Sequence, residues 1–294
     1  MNTPLLYLCG VALWGPTWIA ITYELGPAAP TTSVMLRFGL ASLLLLAWCL
    51  LRKIPLKLSR EQHLRVAAQG ACLFGVNLLL MYYAEQLISS GVVSVIFTSL
   101  VPFNLIGGRL IFGTPITGKS IAGAAFGVCG ILLVFYPEFG RMGSVSNSLA
   151  GLAFALGGTA VASVGNLMAA RNQKAGIPIL QSNAWGMGYG AVSVGLVGLA
   201  LGNSFHVAWN LSYSLGLAYL AVFGSILAFG AYLLLIRRIG PGPAAYTGVL
   251  FPLVALAIST FREGYRWNVS AVIGMLFCVG GSILMNLRFS KAKA

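Results

Sequence analysis

The sequence predicts an all-α membrane protein of ten transmembrane helices, built as two inverted five-helix repeats around a central cavity. Three observations predict it: long stretches free of charge, an uneven placement of basic residues between alternate loops, and self-similarity at about half the chain length. Of the 294 residues, 58% are hydrophobic and 8% charged, and the mean hydropathy is +0.89. Soluble domains carry about 25% charged residues, so water is not the main solvent of this chain. The apolar segments are continuous and about 20 residues long, the length that carries a helix across the hydrocarbon core. Strands of a transmembrane barrel would instead alternate apolar and polar residues over about ten positions.

In chain order the spans are expected near 4–23, 32–51, 66–85, 91–110 and 118–136 in the first half, and near 149–170, 178–200, 212–236, 243–261 and 268–287 in the second. The first segment lacks a basic n-region and is followed by further spans, so it reads as a retained helix and not as a cleaved signal. Many of the 37 glycines fall inside spans, as Gly123, Gly127 and Gly130 do in the fifth and Gly186 and Gly190 in the seventh. Small residues at helical spacing let backbones approach where lipid supplies no hydrophobic drive between helices.

Charge sets the expected topology. With ten spans, one side carries Arg52, Lys53, Lys57, Arg60, Arg65, Arg109, Lys119, Arg171, Lys174, Arg237, Arg238, Arg288, Lys291 and Lys293, fourteen of the eighteen Lys and Arg. The opposite side has Arg141, Arg262 and Arg266, and Arg37 lies within the second span. This is the positive-inside pattern, so both termini are expected in the cytoplasm and the net charge of +13 reports topology, with no nucleic-acid partner. Glu24, Glu85, Glu138 and Glu263 are expected in outer loops. The five cysteines sit in apolar spans without a CxxC pair or neighbouring His ligands, which argues against a disulfide or a metal site.

The halves match. At an offset of 150, Tyr82 aligns with Tyr232, Leu100 with Leu250, Pro102 with Pro252, Ser120 with Ser270 and Gly130 with Gly280. The expected division is residues 1–147 and 148–294 within one integrated transmembrane domain. Five spans per half is an odd number, so the second half must enter the membrane from the opposite side. Inverted repeats suit alternating access, because exchanging the conformations of the halves turns an outward-open cavity inward.

No span has Asp, Glu, Lys or His near its centre, and Asp is missing altogether. A mid-membrane carboxylate costs about 2.5–3.5 kcal/mol on insertion scales and is kept where protons or cations are carried; its absence points to uncoupled, downhill movement of neutral or zwitterionic cargo. Arg37 lies close enough to the outer end of its span to snorkel to the headgroups. Pairing with Glu24 or Glu85, or contact with an anionic substrate group, are its alternatives.

The deep polar residues follow helical spacing: Thr159, Ser163 and Asn166 on the sixth helix, Ser225 with Phe229 and Tyr232 on the eighth, Gln69 with Asn77 on the third, and Ser94 with Thr98 on the fourth, beside Ser99. Trp14 and Trp18 stand one turn apart around Gly15-Pro16. The expected cavity set is Trp14, Trp18, Asn77, Tyr82, Thr98, Ser99, Thr159, Ser163, Asn166, Tyr232 and Tyr246. Such a cavity can hold an ammonium on carbonyls and ring faces and a carboxylate on Asn, Ser and indole donors. For each residue alone, an interhelical hydrogen bond is an equally good account. Pro102 and Pro252 fall mid-span at equivalent positions and are the candidate hinges.

The stretches Leu100-Val101-Pro102-Phe103 through Gly130 and Leu250-Phe251-Pro252-Leu253 through Gly281, with Arg37-Phe38 in the second helix, resemble the EamA-type branch of the drug/metabolite transporter superfamily. The resemblance covers nearly the whole chain and is closest to the YddG-type aromatic amino-acid exporters. It implies two inverted five-helix repeats, a central cavity and rocking of helix hairpins three/four and eight/nine. Many members of the family place a Glu after the proline-containing helix of each repeat. Glu263 stands there in the second half, whereas the first has Phe112-Gly113-Thr114.

The expected function is therefore secondary export of aromatic and other neutral amino acids from the cytoplasm across a bacterial inner membrane, without cofactor or metal, by a chain able to act as a monomer. A drug or other metabolite exporter of the same superfamily is the alternative. Sugar-phosphate cargo would call for several intramembrane cations where only Arg37 is present, and an enzyme would need a nucleophile, base or metal set that the sequence lacks.

Overall fold

The computed structural model describes residues 3–136, 145–245, 247–265 and 267–286. They form helices α1 (Thr3–Trp14), α2 (Thr17–Thr22), α3 (Pro30–Leu51), α4 (Arg60–Gly70), α5 (Asn77–Glu85), α6 (Ser90–Ile96), α7 (Leu100–Phe112) and α8 (Gly118–Phe135). The series continues with α9 (Val145–Lys174), α10 (Ile179–Ala200), α11 (Leu211–Tyr219), α12 (Ala228–Ile239), α13 (Pro241–Ala244), α14 (Thr247–Arg262) and α15 (Val269–Asn286). Helix covers each of the ten stretches expected from the sequence. Among the described residues, β-structure is limited to isolated bridges of Leu25 and Val207 with Ala28.

Among the described residues, six helical spans are long and apolar enough to cross a membrane: Thr3–Thr22, Pro30–Leu51, Arg60–Glu85, Ser90–Phe112, Ser146–Lys174 and Leu211–Ile239. Shorter apolar helices run over Ile121–Val134, Phe251–Arg262 and Val269–Gly281. Large apolar side chains such as Leu43, Leu50, Leu110, Leu196, Leu215 and Phe261 point outward. Water would disfavour so extensive an apolar surface, and lipid is the solvent that suits it.

Helix ends follow local chemistry. Pro30 opens α3, where its missing N–H has no intrahelical partner to lose. Ser59 and Gln62 form a capping box on α4, and the Asn210 side chain accepts the Tyr213 amide at the start of α11. Gly113 closes α7 with φ of 69°, a left-handed conformation that glycine adopts without steric penalty.

Four spans are not uniformly α-helical. Gly15-Pro16 separates α1 from α2, and the Thr17 hydroxyl donates to the Trp14 carbonyl across 2.6 Å at the break. A π-helical segment, Ala71–Val76, joins α4 to α5, and another, Leu220–Leu227, joins α11 to α12. Phe97–Ser99 is a 3-10 turn between α6 and α7. Each irregularity lies beside the cavity described below.

The bundle packs through small residues and neutral hydrogen bonds. A Cβ placed on Gly130 would lie 2.4 Å from the Gly274 carbonyl oxygen, and one on Gly274 would lie 2.6 Å from that of Gly130. Helices α8 and α15 therefore touch backbone to backbone, as do α4 and α10 at Gly70, whose Cβ would come within 2.1 Å of the Gly186 carbonyl. Ser42 Oγ donates to the Ala184 carbonyl at 2.6 Å, linking α3 to α10. Asn172 Nδ2 and Ser182 Oγ both donate to Gln69 Oε1, at 2.9 and 3.2 Å.

Candidate functional site

A cavity lies where α1, α2, α3, α5, the 3-10 turn, α9, α12 and α14 converge. It contains about 640 Å³ of non-atom space, its mouth included. Six aromatic side chains, Trp14, Trp18, Phe97, Phe229, Tyr232 and Phe251, are among its lining residues. Trp14 packs edge-on against Phe229 with ring centroids 5.1 Å apart and meets Tyr232 at 5.0 Å, while Trp18 lies 5.6 Å from Phe97 and 5.5 Å from Phe251. Such pairs contribute about 0.5–1.5 kcal/mol each beyond burial, so the wall is pre-formed. The break at Gly15-Pro16 turns both indoles to the same space, and Trp14 Nε1 is held by the Gly224 carbonyl at 3.1 Å.

Polar groups are few and incompletely satisfied. Asn77 Nδ2 donates to the Leu73 carbonyl at 3.3 Å, leaving Oδ1 buried without a partner. Asn166 Nδ2 donates to the Tyr232 hydroxyl at 3.0 Å, and its Oδ1 is likewise unpartnered. Trp18 Nε1 is a third buried polar atom without a partner. Native interiors pair the large majority of such atoms; with Arg37 Nη1, four of them belong to residues that line this cavity.

Of the residues expected from the sequence, the structure brings Trp14, Trp18, Asn77, Asn166 and Tyr232 together on this wall. Five others among the described residues do not join them. Tyr82 is buried, but its hydroxyl donates to Glu24 Oε2 at 2.7 Å. Thr98, Ser99 and Ser163 are buried outside the lining, and Thr159 returns its hydroxyl to the Ala155 carbonyl at 2.7 Å within its own helix. Tyr246 lies outside the described residues.

Gln69 and Asn77 part company for a physical reason. The intervening π-helical turn inserts extra residues per turn and rotates everything beyond it. Asn77 therefore reaches the cavity while Gln69 faces α9 and α10. Thr17, Phe97 and Phe251, absent from the expected set, also line the cavity, as does Arg37, for which substrate contact is one of the alternatives. Phe251 belongs to the second proline motif and Phe97 lies one turn before the first, so their place beside the matched prolines is the sequence signal for them.

Arg37 does not snorkel: it is 2% exposed and directed into the bundle, where Nε donates to Ser225 Oγ at 3.0 Å. Its guanidinium also stands over the Phe38 ring, 5.1 Å from the centroid. Glu24 and Glu85 are buried too, and Arg37 lies within electrostatic range of both. Glu24 does lie in the turn after α2 and Glu85 at the end of α5, as expected of loop-side acids, but both are buried inside the bundle and not exposed. Burial pushes the Glu24 carboxyl up to about 7, against the opposing pull of the Tyr82 hydroxyl and Arg37. Glu263, at the end of α14, accepts from the Ser90 hydroxyl at 2.7 Å and from Ser259, tying α14 to the start of α6.

The two candidate hinges differ locally. Pro102 sits in the first turn of α7, directly after the 3-10 segment, whereas Pro252 lies inside the continuous helix α14.

Comparison with known proteins agrees with this architecture. The EamA-like transporter family matches residues 2–136 and 149–287. The uncharacterized inner membrane transporter YedA of Escherichia coli K12 is 30% identical over 262 residues, 86% of this chain and 80% of that protein. Protein PagO of Salmonella typhimurium is 21% identical over 97% of this chain and 92% of its own length. The uncharacterized transporter YyaM of Bacillus subtilis is 26% identical over 94% and 91%. A solved crystal structure superposes with a TM-score of 0.72 over 99% of both chains at 16% identity, a likeness of fold. With all-helical spans and a family model matched over nearly its whole length, the chain belongs to the EamA-like transporter family of the drug/metabolite transporter superfamily.

Proposed function

We propose that the chain exports aromatic and other neutral amino acids from the cytoplasm by alternating access, in the manner of the YddG-type exporters it resembles. The observation that carries this reading is the cavity itself, with rings for an apolar side chain and unpartnered neutral groups on Trp18, Asn77 and Asn166 for the polar end. Two inverted five-helix halves, 1–147 and 148–294, are part of the proposal, supported by separate family matches to residues 2–136 and 149–287. The bacterial inner membrane is the proposed location, as the name of the relative YedA suggests, with both termini cytoplasmic on the strength of the charge asymmetry. The chain is taken to act as a monomer.

The burial of Glu24 and Glu85 removes one ground for uncoupled movement. A narrower one replaces it: no carboxylate is among the cavity-lining residues. Downhill, uncoupled export is the cycle we propose, and a lumenal pH change stoichiometric with substrate flux would overturn it.

The mainly apolar, aromatic wall also favours a second reading, export of drugs or other metabolites. Counterflow in proteoliposomes with labelled Trp, Phe, Thr and Met beside a cationic dye separates the two. Exchange of the amino acids supports the first reading; exchange of the dye alone replaces it with the second.

A further inference from the structure

Arg37 is the one charged side chain among the residues lining the cavity. We propose that Arg37 binds the carboxylate of the transported amino acid, and that Glu24 is an internal carboxylate competing with that substrate for the guanidinium. The inference deepens the amino-acid reading and rests on it.

The guanidinium is poised and incompletely used. Nε is committed to Ser225, while Nη1 is buried without a partner. Among the described residues no carboxylate forms an ion pair with it; the one such pair is Arg65 with Glu61 on the exposed part of α4. A buried cation without hydrogen-bonded compensation is unfavourable, and Glu24 and Glu85 compensate Arg37 only at longer range. Its planar fork of donors matches a carboxylate. Trp18 Nε1 supplies another unpartnered donor on the same wall, and Asn77 Oδ1 an acceptor for the ammonium. Here the two ends of a zwitterion find opposite chemistry.

Glu24 is placed to oppose this. Oε2 accepts from Tyr82 of α5 and Oε1 has no partner. Arg37 of α3 and Tyr213 of α11 complete the titratable or charged groups facing it. Around Arg37 itself stand Glu24, Glu85, Tyr82 and Tyr219, with Glu263 in range of Glu85. A Glu24 carboxyl titrating near 7 is neutral below that pH and leaves Arg37 to the substrate. Above it, the anion weakens substrate binding. This is a linkage on binding; net proton movement is read separately by the flux experiment above.

The test is equilibrium binding of radiolabelled phenylalanine to the full chain in lipid nanodiscs, with competition by phenethylamine, which lacks the carboxylate. Unmodified protein is expected to prefer phenylalanine by about tenfold or more, a preference that shrinks to about twofold in Arg37→Gln. Its phenylalanine affinity is expected to fall several-fold from pH 6 to 8, a dependence lost in Glu24→Gln. Equal binding of amine and amino acid, or full discrimination retained by Arg37→Gln, overturns the Arg37 assignment alone. Should Arg37→Gln fail to elute as a folded species, Glu24→Gln decides: an unchanged pH dependence overturns the competition. Failure of unmodified protein to bind phenylalanine, tryptophan or threonine overturns the amino-acid reading beneath both.

Discussion

Tyr82 donates its phenolic hydrogen to Glu24 across 2.7 Å, and both side chains are sealed from solvent. One end of α5 is thereby pinned to the turn after α2. Removing the donor leaves a buried carboxylate oxygen unmatched, a loss of about 1–3 kcal/mol. Tyr82→Phe should lower the thermal transition of the purified protein; an unchanged transition would show that the bond contributes nothing.

The same contact has a pH signature. The Glu24 carboxyl titrates higher in the folded chain, near 7, than its ordinary value of 4.5. The folded state thus holds the proton more tightly, and stability falls as pH rises from about 4.5 through 7. Glu24→Gln removes this penalty. Its thermal transition should exceed that of the unmodified protein by more at pH 8 than at pH 5.5, as differential scanning fluorimetry can check.

Asn77 and Gln69 should respond differently to the same change. Asn77→Ala removes an unpartnered cavity acceptor, so counterflow should fall several-fold with folded yield retained. Gln69→Ala leaves Asn172 and Ser182 without their shared acceptor and should reduce folded yield. The reverse pattern would mean that Gln69, and not Asn77, faces the substrate.

Within α9, Thr159→Val should leave counterflow within about twofold, because the hydroxyl bonds only its own helix. Tyr232→Phe strands the Asn166 amide beside the cavity and should raise the half-saturating substrate concentration about tenfold, the price of one buried unmatched donor.

At the α8–α15 contact, Gly130→Val places a branched side chain against the Gly274 carbonyl and should abolish recovery of monodisperse protein. Gly127→Ala is the control, since a Cβ there meets nothing within 4 Å. Elution profiles of the two variants decide the point.

Helix positions, the lipid-facing apolar surface and the glycine-mediated packing were legible in the sequence because each is written in local composition and period. Segment length alone separates a helical span from a strand, and Gly130 announces a close contact without naming Gly274. The rings at Trp14 and Trp18 were legible for the same reason, since Gly15-Pro16 marks the break between them.

What only the tertiary structure decided is where buried polarity goes. Helical spacing places Gln69 and Asn77 on one face, but the π-helical turn between them depends on how α4, α5, α9 and α10 pack. Position near the end of a span suggests that Arg37 reaches the headgroups, yet Ser225, 188 positions away in the chain, draws its guanidinium inward. Glu24 and Glu85 become buried because segments distant in sequence close over them. Period and composition report the solvent each segment prefers; the partner of a single charged atom is set by three-dimensional packing, which no local pattern encodes.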